Sequence, residues 1–453
     1  MAEITLAQAA RWCGGTIDPK YANVSFFGAN NDSRKIEPGQ LFVALQGARD
    51  GHDFIPMAIE KGAAAVLCTH LEGDYPAIVV EDTRIALGQI AREERKRLGI
   101  KVVGVTGSVG KSTTKEMIAS VLETTYRVAK TPANHNNDIG MPMAILSIPE
   151  DTEVAVLEMG MNHFREIAYL SSIGQPDVAV IINIGTMHIE HLGSKEGIRQ
   201  AKLEILEGLQ PGGSILLNGD DEMLWQVRDQ IKVPCVYFGS ENVKSAVCGV
   251  DVKMDESGLS FRVQTQQAQF PIKLALEGQH YLLDALAAVS AGLQLGVTPE
   301  CITEALGNFR NMAGRQEIFE ANGYTVIKDC YNAGPESMAA ALAVLGKKPG
   351  RRIAVLGDML ELGKRAPAEH YRIGRITAEN ADMLFAYGPN SGRVVSGAIT
   401  GGMSNVHAHA FDDQQKLAAA LKAIVKCGDV LLFKGSHGMH MEHILERLLQ
   451  MEA

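Results

Sequence analysis

GVTGSVGKSTTKEM, residues 104–117, decides how the rest of the chain is read. An apolar, β-branched run (KVVGVT) precedes it and a helix-forming run (KSTTKEMIASVLETT) follows, so the stretch reads as strand, glycine turn, helix. The strict phosphate-loop spacing G-x-x-x-x-G-K-[ST] asks for glycine at 105. Val105 stands there, and the glycine is displaced to Gly104. Gly107 and Gly110 let the backbone turn tightly and aim successive N–H groups inward. The helix N terminus adds partial positive charge. Lys111 is then placed for β- and γ-phosphates, and the Ser112 hydroxyl for magnesium. Thr106, Gly107, Ser108, Val109 and Gly110, continuing into Lys111, Ser112 and Thr113, are the candidate nucleotide-binding residues. The competing reading is a strand-to-helix turn with an exposed lysine. The joint presence of strand, G-S-V-G-K-S and helix favours the nucleotide site.

The same rhythm spreads outward. VAVLEMG, DVAVIINIG and GSILLNGDD are further strands between helices, as in a parallel sheet covered on both faces. Residues 246–276 change to the polar–apolar alternation of antiparallel strands, and the helix YLLDALAAVSAGLQLG follows. A block starting near Asn311 resumes the α/β pattern in YTVIKD, RIAVLG, DMLFAYG and DVLLFKG. It lacks G-x-G-x-x-G, so it is Rossmann-like without the dinucleotide fingerprint. An earlier block, with QLFVAL and AIVVED as short strands, ends in the charged helix ALGQIAREERKRLG. The fold expected is α/β with three domains: residues 1–98, a central phosphate-loop parallel sheet over 99–312, and a Rossmann-like domain over 313–453.

Bulk properties narrow the partners. The chain has 453 residues, 46% hydrophobic and 21% charged, with a formal net charge of -10. That balance suits a globular protein and argues against nucleic-acid or anionic-membrane binding. Seven cysteines without a C-x-x-C pair indicate reduced thiols and a cytoplasmic setting. The opening residues show no basic segment leading into an apolar one, and no apolar run reaches the roughly 18 residues of a membrane helix.

A phosphate loop names no reaction. Glu158 ends the strand VAVLE at the edge where α/β sheets place ligands, and can hold magnesium as an aspartate often does there. His188 and His191 follow another strand. Spaced three apart they suggest a metal, but no third ligand has zinc spacing. Lys202, with Glu196 and Glu204 nearby, would alone be a solvated helix lysine.

Taken together, GVTGSVGKSTTKEM, NHNNDIGMP, LEMGMNHFREIAYL, AKLEIL, AGRQEIF, DCYNAGPESM and GDMLELG occur in the order seen in the Mur ligases. The chain resembles that family over nearly its whole length. The family's form of the loop is T-G-x-x-G-K, so Val105 is its own variant. NNDIGMP and DCYNAGPESM are most similar to the members that add D-alanyl-D-alanine. The resemblance implies an ATP-dependent amide ligase of peptidoglycan precursor synthesis. Its substrates would be a UDP-N-acetylmuramoyl-tripeptide and D-alanyl-D-alanine, joined through an acyl phosphate. It implies an N-terminal UDP-binding domain, closure of the third domain on the second, and a cytoplasmic monomer. Other Mur-type amino-acid ligases and folylpolyglutamate synthases are the nearest alternatives, the latter normally lacking the N-terminal block. A phosphate-loop regulatory module is the alternative of another class.

The resemblance also assigns roles. Ser112 and Glu158 would hold a first magnesium and His188 a second, with His191 competing. Lys202 would become carbamylated. Asn134, Asn136 and Asn137 lie in a segment approaching the nucleotide. Arg315 would reach ATP phosphates and Asp329 the ribose. Tyr331 and Asn332 would lie near the incoming dipeptide, and Ser33 and Arg34 at the UDP end, against the competing reading of an Asx turn. Three departures stand out. Tyr281 and Asp284 replace asparagines of an adenine-side helix, Gly334 replaces the asparagine of Y-N-A-N-P, and His437 replaces an arginine.

Overall fold

The computed structural model describes residues 3–255, 257–312 and 314–450. Residue 313, the expected domain boundary, and the first two and last three residues lie outside them. The described residues form two compact units, one from 3–182, 199–247 and 286–305 and the other from 183–198, 248–285 and 306–450.

The first unit is built on a parallel sheet ordered Cys235–Gly239, Ser214–Asn218, Val178–Ile181, Lys101–Thr106, Val154–Glu158, Val128–Lys130. Its central strands are buried along their length, Lys101 apart, which is why they read as unbroken apolar runs. The phosphate-loop strand sits between two strands that come later in sequence, so its C-terminal end faces a crevice at a topological switch point. A smaller parallel sheet, Ala29–Asn30, Leu41–Val43, Ala65–Cys68 and Ala77–Val79, comes from the N-terminal block. The helix Thr83–Leu98 ties the two together. Asp82 caps it by accepting from the amides of Arg84 and Ile85, and Gly99 ends it at φ 62°. Arg95, near its end, donates to the carbonyls of Gly174 (3.0 Å) and Gln175 (2.7 Å) and to Asp177 (3.2 Å).

The second unit holds a six-stranded sheet ordered Glu317–Ala321, Tyr324–Asp329, Val430–Lys434, Arg352–Gly357, Met383–Tyr387, Ala408–Phe411. All pairs are parallel except the first, an antiparallel edge. That edge strand and the short Ala408–Phe411 were not legible in the alternation, because both are half-exposed and weakly patterned. The expected antiparallel ribbon is present as Val247–Asp255, Gly258–Gln264 and Gln269–Leu274. Among the described residues, no helix is long and apolar enough to cross a membrane.

Candidate functional site

In the first unit the chain leaves the strand Lys101–Thr106 through Gly107 and enters the helix Lys111–Leu122 at Gly110. Gly110 sits at φ 86°, a conformation a side chain disfavours. Gly107 is needed for space: a Cβ there would lie 3.1 Å from Cβ of Ile182. Lys111 arches back over the turn, donating to the carbonyls of Gly107 (3.0 Å) and Ser108 (3.3 Å). Its ammonium is thereby held above the loop that the motif assigns to phosphates.

Just inside the helix, Ser112 Oγ donates to Glu158 Oε2 at 2.8 Å. Asn136 Nδ2 donates to the other carboxylate oxygen at 2.8 Å, and Thr131 Oγ1 accepts from the Glu158 amide at 3.0 Å. Both Ser112 and Glu158 are buried. Asn136 fits because Gly160 faces it; a Cβ there would come within 2.9 Å of its amide. Asn137 serves the local chain, its Oδ1 accepting from the amides of Ile139 (3.3 Å) and Gly140 (2.8 Å) at the start of the helix Gly140–Leu146.

Two further lysines of this unit are buried. Lys115, one turn after Lys111, donates to the Thr131 carbonyl at 2.6 Å and pairs with Glu116 at 3.0 Å. Lys202 is 1% exposed, contrary to a solvated helix lysine. Burial, and then the charge on Lys111, push its pKa well below the ordinary lysine value. The motif gave Lys111 and Ser112 directly. It did not give Lys115, whose only signal was its place one helical turn after Lys111, or Thr131, which comes from a separate segment.

At the N-terminal sheet, Arg34 is exposed and its guanidinium grips Asp32 with two bonds of 2.9 Å, while its amide also donates to Asp32. Ser33 is buried, its hydroxyl 3.4 Å from the Met57 sulfur. The Asx turn foreseen as a competitor is therefore present, with the arginine held by its own turn.

The second unit contains the remaining candidates. His188, at φ 62°, places Nδ1 2.7 Å from the Glu361 carboxylate. Two residues earlier, the Thr186 amide and hydroxyl both donate to Glu336 Oε1 at 3.0 Å. Gly334 permits this: a Cβ there would lie 3.0 Å from Met187 Cγ. Asp329, at the end of its strand, pairs with buried Lys434 at 2.6 Å, and Lys434 also donates to the Asn332 carbonyl at 2.9 Å. The Arg315 guanidinium lies 4.1 Å from the centre of the Tyr331 ring. The Tyr331 ring is 6.1 Å from that of His437.

Tyr281 and Asp284 are both buried. The Tyr281 hydroxyl accepts from Asn311 Nδ2 (2.7 Å), which also donates to the Arg315 carbonyl (2.6 Å). Its ring packs 4.1 Å from that of His280. Burial lowers the His280 pKa to about 4, with the Asp329 charge opposing.

Chemically, the first unit offers a cationic, amide-rich turn beside two oxygen donors and a desolvated amine. The second offers an arginine, a paired aspartate and a histidine–carboxylate pair.

Three family models match: the Mur ligase family, catalytic domain, over residues 27–106; the Mur ligase middle domain over 105–292; and the Mur ligase, glutamate ligase domain over 314–437. The UDP-N-acetylmuramoyl-tripeptide–D-alanyl-D-alanine ligase of Bacillus subtilis is 38% identical, covering 99% of both chains. A crystal structure of MurF from Acinetobacter baumannii superposes with a TM-score of 0.91 at 32% identity, covering 99% of each chain. MurF ligase from Thermotoga maritima in complex with ADP superposes at 0.83 with 31% identity, covering 94% of this chain and 99% of that one.

Proposed function

The chain belongs to the Mur ligase family, and from that premise we propose that it adds D-alanyl-D-alanine to a UDP-N-acetylmuramoyl-tripeptide in peptidoglycan precursor synthesis. The observation that carries the reading is the Ser112–Glu158 pair at the head of the phosphate-loop helix, in a chain matching such ligases end to end.

The reaction is an ATP-dependent C–N ligation. An oxygen of the tripeptide's terminal carboxylate attacks the γ-phosphorus and ADP leaves. The acyl phosphate is then attacked at carbon by the dipeptide amine, which loses a proton as inorganic phosphate departs. Two anions must meet in the first step, so cationic and N–H groups have to neutralise the approach. The loop from Thr106 to Thr113 and Lys111 take that part on the β- and γ-phosphates. Ser112 and Glu158 present a hydroxyl and a carboxylate, the oxygen donors a hard cation takes, and would hold the first magnesium. His188 would contribute to a second. Bound magnesium would supply charge neutralisation at the transferring phosphoryl group.

Lys202 fits carbamylation. Its buried amine is held towards the neutral form, which is the form that attacks carbon dioxide, forming a C–N bond and releasing a proton. The resulting anion would balance the charge of Lys111 and serve as an oxygen ligand.

Tyr281 and Asp284 would lie on the adenine side, with Tyr281 also anchoring Asn311, and Asn137 in a segment approaching the nucleotide. Arg315 is assigned to phosphates, Asp329 to the ribose, Tyr331 and Asn332 to the dipeptide, Ser33 and Arg34 to the UDP end. Its domains would be 1–98, 99–312 and 313–453, and it would act as a monomer in the cytoplasm.

The test is phosphate release with ATP, magnesium and UDP-muramoyl-tripeptide, with and without D-alanyl-D-alanine. The expected result is release that requires the dipeptide, with a product heavier by its addition. Release independent of the amine would point to a regulatory ATPase. Release with a single amino acid instead would point to another ligase of the family.

A further inference from the structure

The departure at His437 opens the stretch HGMHMEH, residues 437–443, in which three histidines recur every third position with a glutamate among them. None of the roles above uses His440, Glu442 or His443. We propose that these three side chains form a binding site for a divalent transition cation such as zinc, at the N-terminal end of the last helix.

Three observations carry it. The donor atoms of His440, Glu442 and His443 all lie within 4.8 Å of one another. His440 Nδ1 and Glu442 Oε1 are 3.4 Å apart, close to the roughly 3.3 Å that separates two ligands on one tetrahedral zinc with bonds of about 2.0–2.1 Å. The rings of His440 and His443 lie side by side, centroids 5.3 Å apart and planes 13° from parallel. Rotations about side-chain bonds are enough to converge all three on one ion.

The backbone beneath them is fixed. His440 sits at φ 48°, and Gln414 Nε2 donates to the carbonyls of Met439 (2.9 Å) and His440 (3.3 Å). The helix Met441–Gln450 buries Met441, Ile444, Leu445 and Leu448, which leaves His443 exposed and Glu442 half-buried. The His437 ring is 6.0 Å from that of His440, a third imidazole beside the two in the cluster. Two imidazoles and one carboxylate select zinc, cobalt or nickel over magnesium, which prefers oxygen alone.

A second cluster, Asp50, His52 and His70, meets the same distance limit but is already spent. His52 Nδ1 lies 2.6 Å from Asp50, and its Nε2 accepts from the Thr69 amide at 3.0 Å. A metal there would have to break both contacts.

The test uses the full chain, stripped of metal by chelation and kept in excess magnesium. Zinc is titrated calorimetrically and cobalt by its visible absorption. The expected result is one saturable site that magnesium does not displace, with cobalt bands of a four-coordinate centre. His443→Ala and Glu442→Gln should each weaken binding by about tenfold or more. His163→Ala, in a separate His163–Glu166 pair, should leave it unchanged. Absence of saturable binding would overturn the proposal. So would zinc binding undiminished in a His440→Ala/His443→Ala variant whose unfolding curve matches the parent, since the ion would then sit elsewhere.

Discussion

Lys115 and Lys202 are both fully buried in the first unit, 0% and 1% exposed, and differ in what meets them. Lys115 is met by the Thr131 carbonyl and the Glu116 carboxylate. Among the described residues no hydrogen bond or carboxylate reaches Lys202. Its nearest acid in sequence, Glu204, is turned away and accepts from the amides of Arg165 (2.9 Å) and Ala168 (3.3 Å) at the start of the helix Glu166–Gly174. A buried charge needs partners. The first lysine has them and holds the Thr131 segment in place. The second lacks them, and burial favours its neutral form instead. The difference separates a lysine held by partners from one that burial leaves in its neutral form.

The largest effect expected is on activity. Lys202→Ala should lower turnover by about a thousandfold, and acetate or formate should restore part of it by supplying the missing carboxylate. Lys115→Ala should show no such rescue. Full turnover of Lys202→Ala without added carboxylate would erase the distinction.

Stability gives the reverse ranking. Lys115→Met should cost about 2–3 kcal/mol in urea unfolding, because a buried carbonyl and a half-buried carboxylate each lose a donor. Lys202→Met should cost nothing or stabilise, since it replaces a desolvated amine by an apolar chain of similar length. Equal losses would mean that Lys202 has structural partners after all.

His280 extends the comparison to the second unit as another base that burial holds neutral. Its pKa is lowered from 6.5 to about 4, so between those values the unfolded chain binds the extra proton and the folded chain does not. Its contribution is fully present above pH 6.5 and is lost as pH falls towards about 4, amounting to about 2 kcal/mol after allowing for partial exposure. His280→Gln should flatten that part of the stability–pH curve; an unchanged slope would place the acid sensitivity elsewhere.

Glu204→Gln should have the smallest effect, about 1 kcal/mol from a weakened helix start. It should leave turnover independent of added carboxylates. If it instead required them, Glu204 would be the missing partner of Lys202.

Much of this was legible in the chain. The loop of residues 107–112, the parallel alternation around it and the antiparallel ribbon are carried by contiguous residues and by period, and each is present. Glu158 was legible as a strand-end carboxylate. That Asn136 and Ser112 share its two oxygens was not, because the three come from separate segments. Arg34 matched both a substrate motif and an Asx turn, and only the structure shows its grip on Asp32. Tyr281 and Asp284 were legible as departures, but not as buried groups.

The sequence by itself determined the elements, the phosphate loop and, through motif order, the family. These depend on hydrophobic period, on glycine's freedom at positive φ and on residues adjacent in the chain. Only the tertiary structure decided which of two buried lysines is paired, where Glu204 points, and that the donor atoms of His440, Glu442 and His443 lie within 4.8 Å of one another. A charge's state depends on the solvent and partners left to it after packing, and packing brings those partners from distant parts of the chain.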